Sequence, residues 1–283
     1  MGRFHRHPDG TAHEHDPGAR DLAARDVGDH SGYAETGTER ITVLENILAE
    51  NDHVAEANRA AFTVAGVRAV NLMSSPGAGK TTLLRRTLEG LPPALRVGVV
   101  EGDIATSLDA DQFEGLAHAV SLVNTSAGFG GECHLDAVMV GAGLRRLDLD
   151  DLDLVVIENV GNLVCPAEFD VGEHAKAMVY AVTEGEEKPL KYPVMFRKAD
   201  LVLLTKVDLL PHLPGFRLDA LEDALARTMP QVRMIRLSAV SGEGLPEWIA
   251  WLEARRAALP PPTGRAHRHD ASHGHAHEHS SHD

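Results

Sequence analysis

The run Asn71-Leu72-Met73-Ser74-Ser75-Pro76-Gly77-Ala78-Gly79-Lys80-Thr81-Thr82 constrains the fold more than any other stretch of the chain. An apolar segment ends in small residues and restarts as Thr82-Leu83-Leu84-Arg85-Arg86-Thr87-Leu88. This predicts a strand, a phosphate loop and a helix. Backbone N–H groups of a Gly-rich turn at a helix N-terminus carry the positive end of the macrodipole, so polyphosphate oxygens bind there. Gly77, Ala78, Gly79, Lys80, Thr81 and Thr82 are the candidate nucleotide-binding residues; Lys80 would reach the β- and γ-phosphates, and Thr81 would ligate Mg²⁺. The pattern departs from G-x-x-x-x-G-K-[ST] at its first position, which is Ser74.

Beyond this loop the chain alternates apolar runs with helical patterns. Strands are expected over 96–100, 119–124, 152–157, 177–183, 199–205 and 232–237, with helices over 218–229 and 245–258. The fold class is α/β, a mostly parallel sheet with helices on both faces, of the P-loop nucleotide hydrolase type. A helical pattern from Ile41, stopped by Gly66, precedes the first strand. The charged segment 184–191 reads as an exposed loop.

Carboxylates at the C-terminal edge of a parallel sheet share a rim with the phosphate loop. Asp103 or Asp109 could therefore hold Mg²⁺ or a water facing the γ-phosphate, or serve as a helix cap. After the run Leu152-Asp153-Leu154-Val155-Val156-Ile157, Glu158 and Gly161 fit the acid and the glycine that face Mg²⁺ and the γ-phosphate in nucleotide hydrolases. Lys80, Asp103, Asp109 and Glu158 are thus the catalytic candidates. The strand at 199–205 runs into Thr205-Lys206-Val207-Asp208, which matches the guanine-reading [NT]-K-x-D element. A carboxylate at Asp208 accepts from both guanine N1–H and its exocyclic amine, whereas adenine offers no such donor pair. Lys206 would lay its stem along the base, and Ser238-Ala239 would offer a backbone N–H to the base oxygen.

With 27 basic and 42 acidic residues the 283-residue chain carries a formal charge of −15, which argues against duplex or anionic-membrane binding and favours cationic partners. No apolar run is long enough to span a bilayer and the start lacks a signal peptide's apolar core, so the chain is expected in the cytoplasm. Residues 1–38 and 260–283 are expected to be disordered His-rich arms flanking one domain over 39–259. His5, His7, His13, His15 and His30 lie in the first arm; the second alternates histidines from His267 to His282 with Asp, Ser, Gly and Ala, unlike a contiguous purification tag. Such tracts suit Ni²⁺, Cu²⁺ and Zn²⁺.

Cys133 and Cys165 are too few for a disulfide framework and read as buried thiols or metal ligands. Cys133, His134 and Cys165 sit in two loops expected at the nucleotide edge of the sheet. Two thiolates and an imidazole bind Zn²⁺ or Ni²⁺, and three ligands leave a tetrahedron that a second subunit could complete.

The phosphate loop taken with Glu101-Gly102-Asp103, Cys133-His134-Leu135-Asp136-Ala137, Glu158-Asn159-Val160-Gly161-Asn162-Leu163-Val164-Cys165-Pro166 and Thr205-Lys206-Val207-Asp208 closely resembles the HypB family over residues 41–258. These are GTPases that help insert nickel into [NiFe]-hydrogenases. The resemblance implies a P-loop GTPase of the signal-recognition and MinD-like (SIMIBI) class with slow intrinsic turnover. It also implies a homodimer formed with GTP or metal, and partnership with a HypA-type nickel chaperone and a hydrogenase large-subunit precursor. It further implies a Ni²⁺ or Zn²⁺ site at Cys133, His134 and Cys165, phosphate and Mg²⁺ contacts from Lys80 and Thr81, and an acid near Mg²⁺ at Asp109. Two departures stand out: the family's Cys-x-x-Cys-Gly-Cys nickel motif is absent, since no cysteine precedes Cys133, and the loop before Cys133 is longer than usual. A urease-type nickel GTPase of the UreG family is the first alternative, but its metal motif is a contiguous Cys-Pro-His. The second is a nickel storage protein whose histidine arms bind the metal on a vestigial GTPase scaffold.

Overall fold

The computed structural model describes residues 4–6, 12–14, 33–103, 110–125, 134–231 and 233–257. The chain divides into two units, Met1–Asn46 and Ile47–Asp283. In the first, β1 (Phe4–Arg6) and β2 (Ala12–Glu14) pair antiparallel with His5 opposite His13, within the stretch expected to form a disordered arm. Helix α1 spans Tyr33–Ala65, beginning eight residues before the expected Ile41, because residues 33–40 are mostly polar and give no apolar period to read.

The second unit is built on β3 (Arg68–Ser74), β4 (Val97–Asp103), β5 (Ala119–Asn124), β6 (Leu154–Gly161), β7 (Ala175–Ala181), β8 (Leu201–Thr205) and β9 (Arg233–Arg236). They form one sheet in the order β5-β4-β6-β3-β7-β8-β9, and every pairing is parallel. Parallel strands need crossovers, and those with helices run through α2 (Lys80–Gly90), α3 (Ala137–Leu144), the short α4 (Cys165–Glu168), α5 (Lys188–Lys191) and α6 (Pro193–Arg197), then α7 (Leu218–Thr228), while α8 (Leu245–Ala257) follows the last strand. Both faces are covered, which explains the nearly unbroken apolar runs of β6 and β8.

Successive side chains of a strand point to opposite faces. Val70 and Leu72 of β3, with Val156 of β6 and Leu203 of β8, pack with Leu83, Leu84, Trp248 and Leu252 of α2 and α8. On the other face Ala69, Val155 and Ile157 meet Phe62 of α1 and Val140 and Leu144 of α3. The same face continues with Met178, Tyr180, Val202 and Leu204 against Phe196, Leu221 and Leu225 of α6 and α7. The α1 stripe that turns inward is Asn51, Ala55, Asn58, Phe62 and Ala65, whereas Ile47, an apolar residue of the sequence pattern, is exposed. Two asparagines inside a buried helical stripe disguise its period.

Segment 184–191 departs from the expected exposed loop: a 3-10 turn over Val182–Glu184 leads to α5, and the Glu184 side chain is only 10% exposed. Its carboxylate finds partners at Ser75, more than a hundred residues away, and at Lys188, which a local reading does not reveal. Among the described residues no helix is long and apolar enough to cross a membrane.

Candidate functional site

The turn after β3 is made by glycines that L-residues would not replace easily: Gly77 has φ +73° and Gly79 φ +93°. Gly79 caps α2, so the first helical turn points its N–H groups at the space above the sheet edge. Lys80 is buried and donates from Nζ to Ser74 Oγ over 2.7 Å. The serine standing where the motif usually begins with glycine thus orients the lysine. Burial pushes the Lys80 ammonium below its ordinary pKa, while the Glu158 and Glu184 carboxylates pull it back up. Thr81 Oγ1 donates to Glu158 Oε1 over 2.6 Å. A hydroxyl beside a carboxylate at the mouth of a phosphate loop is a hard-oxygen donor pair of the kind Mg²⁺ takes.

Strand β6 runs four residues beyond the expected Ile157, so Glu158, Asn159 and Gly161 are strand residues held between β3 and β4. Glu158 lies in register with Leu72 of β3 and Glu101 of β4, which brings two buried carboxylates onto adjacent strands. Glu101 has no role in the sequence reading; its signal is a carboxylate closing the apolar run Val97-Gly98-Val99-Val100. Gly161 packs on the phosphate loop: a Cβ there would stand 3.0 Å from Pro76 Cα and 3.1 Å from Pro76 N. Ser75, behind the loop, hydrogen-bonds the Glu184 carboxylate, whose second oxygen accepts the Ala181 N–H over 2.9 Å. Lys188 Nζ lies 2.6 Å from Glu184 and 3.4 Å from Ser75 Oγ. Neither Glu184 nor Lys188 is singled out by the sequence.

The guanine-type element reaches the same rim. Thr205 is buried and its hydroxyl donates to Ala78 O over 2.8 Å, bracing the phosphate loop. Lys206 adopts φ +59°, the left-handed region, and its Nζ donates to Gly77 O over 2.7 Å. Its stem therefore bridges the end of β8 and the phosphate loop. Asp208 Oδ1 accepts from Ser238 Oγ over 2.6 Å. Ser238 N–H donates to Glu243 O over 2.9 Å, so that amide is engaged within its own loop, and of the expected pair Ser238-Ala239 the serine amide is already taken. Arg86 of α2 donates to Ala239 O over 3.1 Å and ties this loop to the phosphate-loop helix. Thr82 is exposed on the first turn of α2.

Of the other candidates, Asp103 ends β4 opposite Asn124 of β5, with its side chain outside the described set. Asp109 and Cys133 lie outside the described residues, and Cys165 is described in its backbone alone, as the first residue of α4. The two loops do converge: the His134 ring centroid lies 4.1 Å from that of Phe169, which follows α4. Among the described residues no three His, Cys, Asp or Glu side chains form a metal-holding group. The histidine arms beyond β2 and after residue 257 lie outside the described residues as well.

Residues 68–236 match the family described as CobW/HypB/UreG, nucleotide-binding domain. The hydrogenase maturation factor HypB of Azotobacter chroococcum is 49% identical over 218 residues, 77% of this chain and 70% of that protein. The HypB of Escherichia coli K12 is 46% identical over 237 residues, covering 81% and 80% of the two chains. Among solved structures, HypB from Archaeoglobus fulgidus superposes with a TM-score of 0.67 at 35% identity, over 74% of this chain and 99% of that one. HypB from Helicobacter pylori in complex with nickel gives 0.68 at 31% identity, over 74% and 95%. With its phosphate loop, β6 acid and guanine-type element on one rim of a parallel sheet, the chain belongs to the CobW/HypB/UreG nucleotide-binding family and, within it, to the HypB hydrogenase maturation factors.

Proposed function

We propose that this chain is a GTP-hydrolysing nickel metallochaperone, in which the nucleotide state sets the geometry of a nickel site at Cys133, His134 and Cys165. The observation that carries the reading is the course of β6. It places Glu158 against Thr81 and Gly161 against the phosphate loop, and then leads within four residues into Cys165 and the segment whose Phe169 ring lies against that of His134, tilted by 32°. A γ-phosphate that orders switch segments is a two-state device, and the coupling is reciprocal: nickel alters GTP affinity by the same factor as GTP alters nickel affinity.

Thr81 and Glu158, with Asp103 at the end of β4 or Asp109 further along the sequence, are the residues that would hold Mg²⁺, which supplies charge neutralisation on the β- and γ-oxygens. Lys80 holds the phosphates, Asp208 reads guanine, and Gly161 brings a backbone N–H to the γ-phosphate. Turnover is slow in the isolated protein and resets the metal site. Nickel, or Zn²⁺ in its place, is bound by two thiolates and an imidazole. A second copy of the chain completes the coordination, making a homodimer the working form. The partners are a HypA-type nickel chaperone and a hydrogenase large-subunit precursor, in the cytoplasm. The Cys-Pro-His triplet of urease-type GTPases has no counterpart here, which disfavours that reading.

The test is Ni²⁺ affinity measured with a non-hydrolysable GTP analogue, with GDP and without nucleotide, in the parent and in Cys133→Ala. The expected result is a several-fold difference between nucleotide states in the parent and loss of tight binding in the variant, with GTP binding retained. Equal nickel affinity in parent and variant would refute the metal reading.

A further inference from the structure

Three buried side-chain amides link the segments that carry the metal candidates, and none has a role in nucleotide binding. Asn51 of α1 accepts the Ala137 N–H over 2.9 Å and donates to Asp170 O over 2.8 Å. Asn58, two turns further along α1, donates to both Ala137 O, at 2.8 Å, and Val171 O, at 3.1 Å. Asn159 of β6 accepts the Leu135 N–H over 3.1 Å and its neighbour's Val160 N–H over 2.9 Å. Each amide therefore joins the backbone immediately after Cys133-His134 to another segment: the chain just after α4 and Phe169 for the α1 pair, and strand β6 for Asn159. All three are at most 7% exposed.

The residue type matters. An amide carries a donor and an acceptor on one short rigid group, so it can take an N–H from one segment and give an N–H to a carbonyl of another; a carboxylate lacks the donor and an apolar residue lacks both. Buried polar groups of this kind fix a single arrangement of the backbones they join, since any other arrangement leaves them without partners.

Strand alternation adds a direction. Val156 faces α2 and α8, and Ile157 faces α1 and α3. Glu158 then falls on the α2 side, where it meets Thr81, and Asn159 on the α3 side, where it meets Leu135. Adjacent residues of one strand thus hold the nucleotide rim from one face and the His134 segment from the other. Asn159 is itself backed by Asn71, whose amide donates to Glu173 Oε1 over 3.2 Å.

We infer that Asn51, Asn58 and Asn159 are positioning residues of the nickel site. They clamp the His134 segment to the segment after Cys165 and to β6, and Asn159 passes any displacement of Glu158 to the metal ligands. This inference rests on the metal reading above, and the experiment separates the two. The probe is Ni²⁺ alone, titrated into the full-length chain with and without a non-hydrolysable GTP analogue. The readout is the thiolate-to-nickel charge-transfer absorption, to which the histidine arms do not contribute. Asn159→Ala is the direct variant. Asn51→Asp, read at a pH where the carboxyl is ionised, is the second: it keeps the acceptor for Ala137 N–H but loses the donor to Asp170 O, so it unties the two segments while leaving one attached.

Both variants are expected to weaken nickel binding by about 10- to 100-fold, the range for groups that orient metal ligands. The absorption band should shift and the affinity for the GTP analogue should stay within about threefold. In Asn159→Ala the ratio of nickel affinities with and without the analogue falls towards one. Should Asn159→Ala fail to fold, Asn51→Asp decides by the same readout. Parent-like nickel affinity and spectrum in the folded variants, alongside loss of binding in Cys133→Ala, overturn the clamp and leave the metal reading intact. Unchanged binding in Cys133→Ala overturns both.

Discussion

A hydrogen atom in place of a methyl group sets the distance between β6 and the phosphate loop. At Gly161 an added Cβ meets Pro76 backbone atoms at 3.0 and 3.1 Å, and backbone cannot rotate away as a side chain would. Gly161→Ala therefore displaces the loop that cradles the phosphates. Overpacking of this kind costs about 1–3 kcal/mol, so GTP affinity should fall by about 5- to 150-fold in a fluorescent-nucleotide titration. An unchanged dissociation constant would mean that the loop yields freely and that Gly161 is not a spacer. Asp208 poses a different question, since its carboxylate is oriented by Ser238 Oγ at 2.6 Å on Oδ1 and a carboxylate keeps acceptor sites on both oxygens for the two guanine donors. Asp208→Asn replaces one acceptor by a donor opposite the donor face of guanine, and competition between GTP and ATP should show the GTP preference reduced by a factor of about 10³ or more. Both residues are legible in the sequence because each sits at a fixed offset in a motif whose chemistry demands it. Thr205 and Ser74 are not legible in the same way: their hydroxyls serve Ala78 O and Lys80 Nζ, contacts that exist only once the loop has folded back on β8 and β3.

At the scale of elements, the strands of the sheet were readable for a simple reason. A parallel sheet covered on both faces makes runs such as Leu201-Val202-Leu203-Leu204 uniformly apolar, and all four are fully buried. Where a strand carries function at its end the reading falls short, and β6 is read as ending at Ile157 because Glu158 and Asn159 break the apolar run while remaining in the ladder. Helix α1 hides its inner stripe for the same reason, having asparagines where periodicity looks for hydrocarbon. The acid at 184 escapes notice because Ser75 lies on the far side of the sequence. Helix α2 shows what holds the phosphate loop from behind. Thr87 Oγ1 donates to Leu83 O at 2.7 Å and accepts the Trp248 indole N–H of α8 at 2.8 Å, with both residues buried. Thr87→Val keeps the volume but leaves the indole N–H without its acceptor, a loss of about 1–3 kcal/mol. Urea unfolding should show a lower midpoint, while GTP affinity changes by less than about threefold because the helix N-terminus lies nearly two turns away. A midpoint equal to that of the parent would show that water replaces the hydroxyl at the indole.

For the whole molecule the question is where nickel goes when the nucleotide site is empty. Five histidines precede residue 38 and seven follow residue 260, of seventeen in all, and the chain carries a formal charge of −15 that favours cations. Imidazoles spaced along a segment chelate several ions weakly, whereas the proposed set of two thiolates and an imidazole would bind one ion tightly. The buried core, the phosphate loop and the guanine element all lie between residues 47 and 257, and among the described residues the hydrogen bonds and packing that hold them are made within that range. The shortened chain should therefore hydrolyse GTP within about twofold of the parent rate. By equilibrium dialysis it should retain the tight class of bound nickel and lose the weak class, its stoichiometry falling to that of the thiolate site. If the tight class vanishes with the arms, the histidines supply the ligands now given to Cys133, His134 and Cys165, and the storage reading gains over the chaperone one. If GTP turnover vanishes with them, the arms take part in the nucleotide cycle itself, and the division between a cargo-holding periphery and a switching core is wrong.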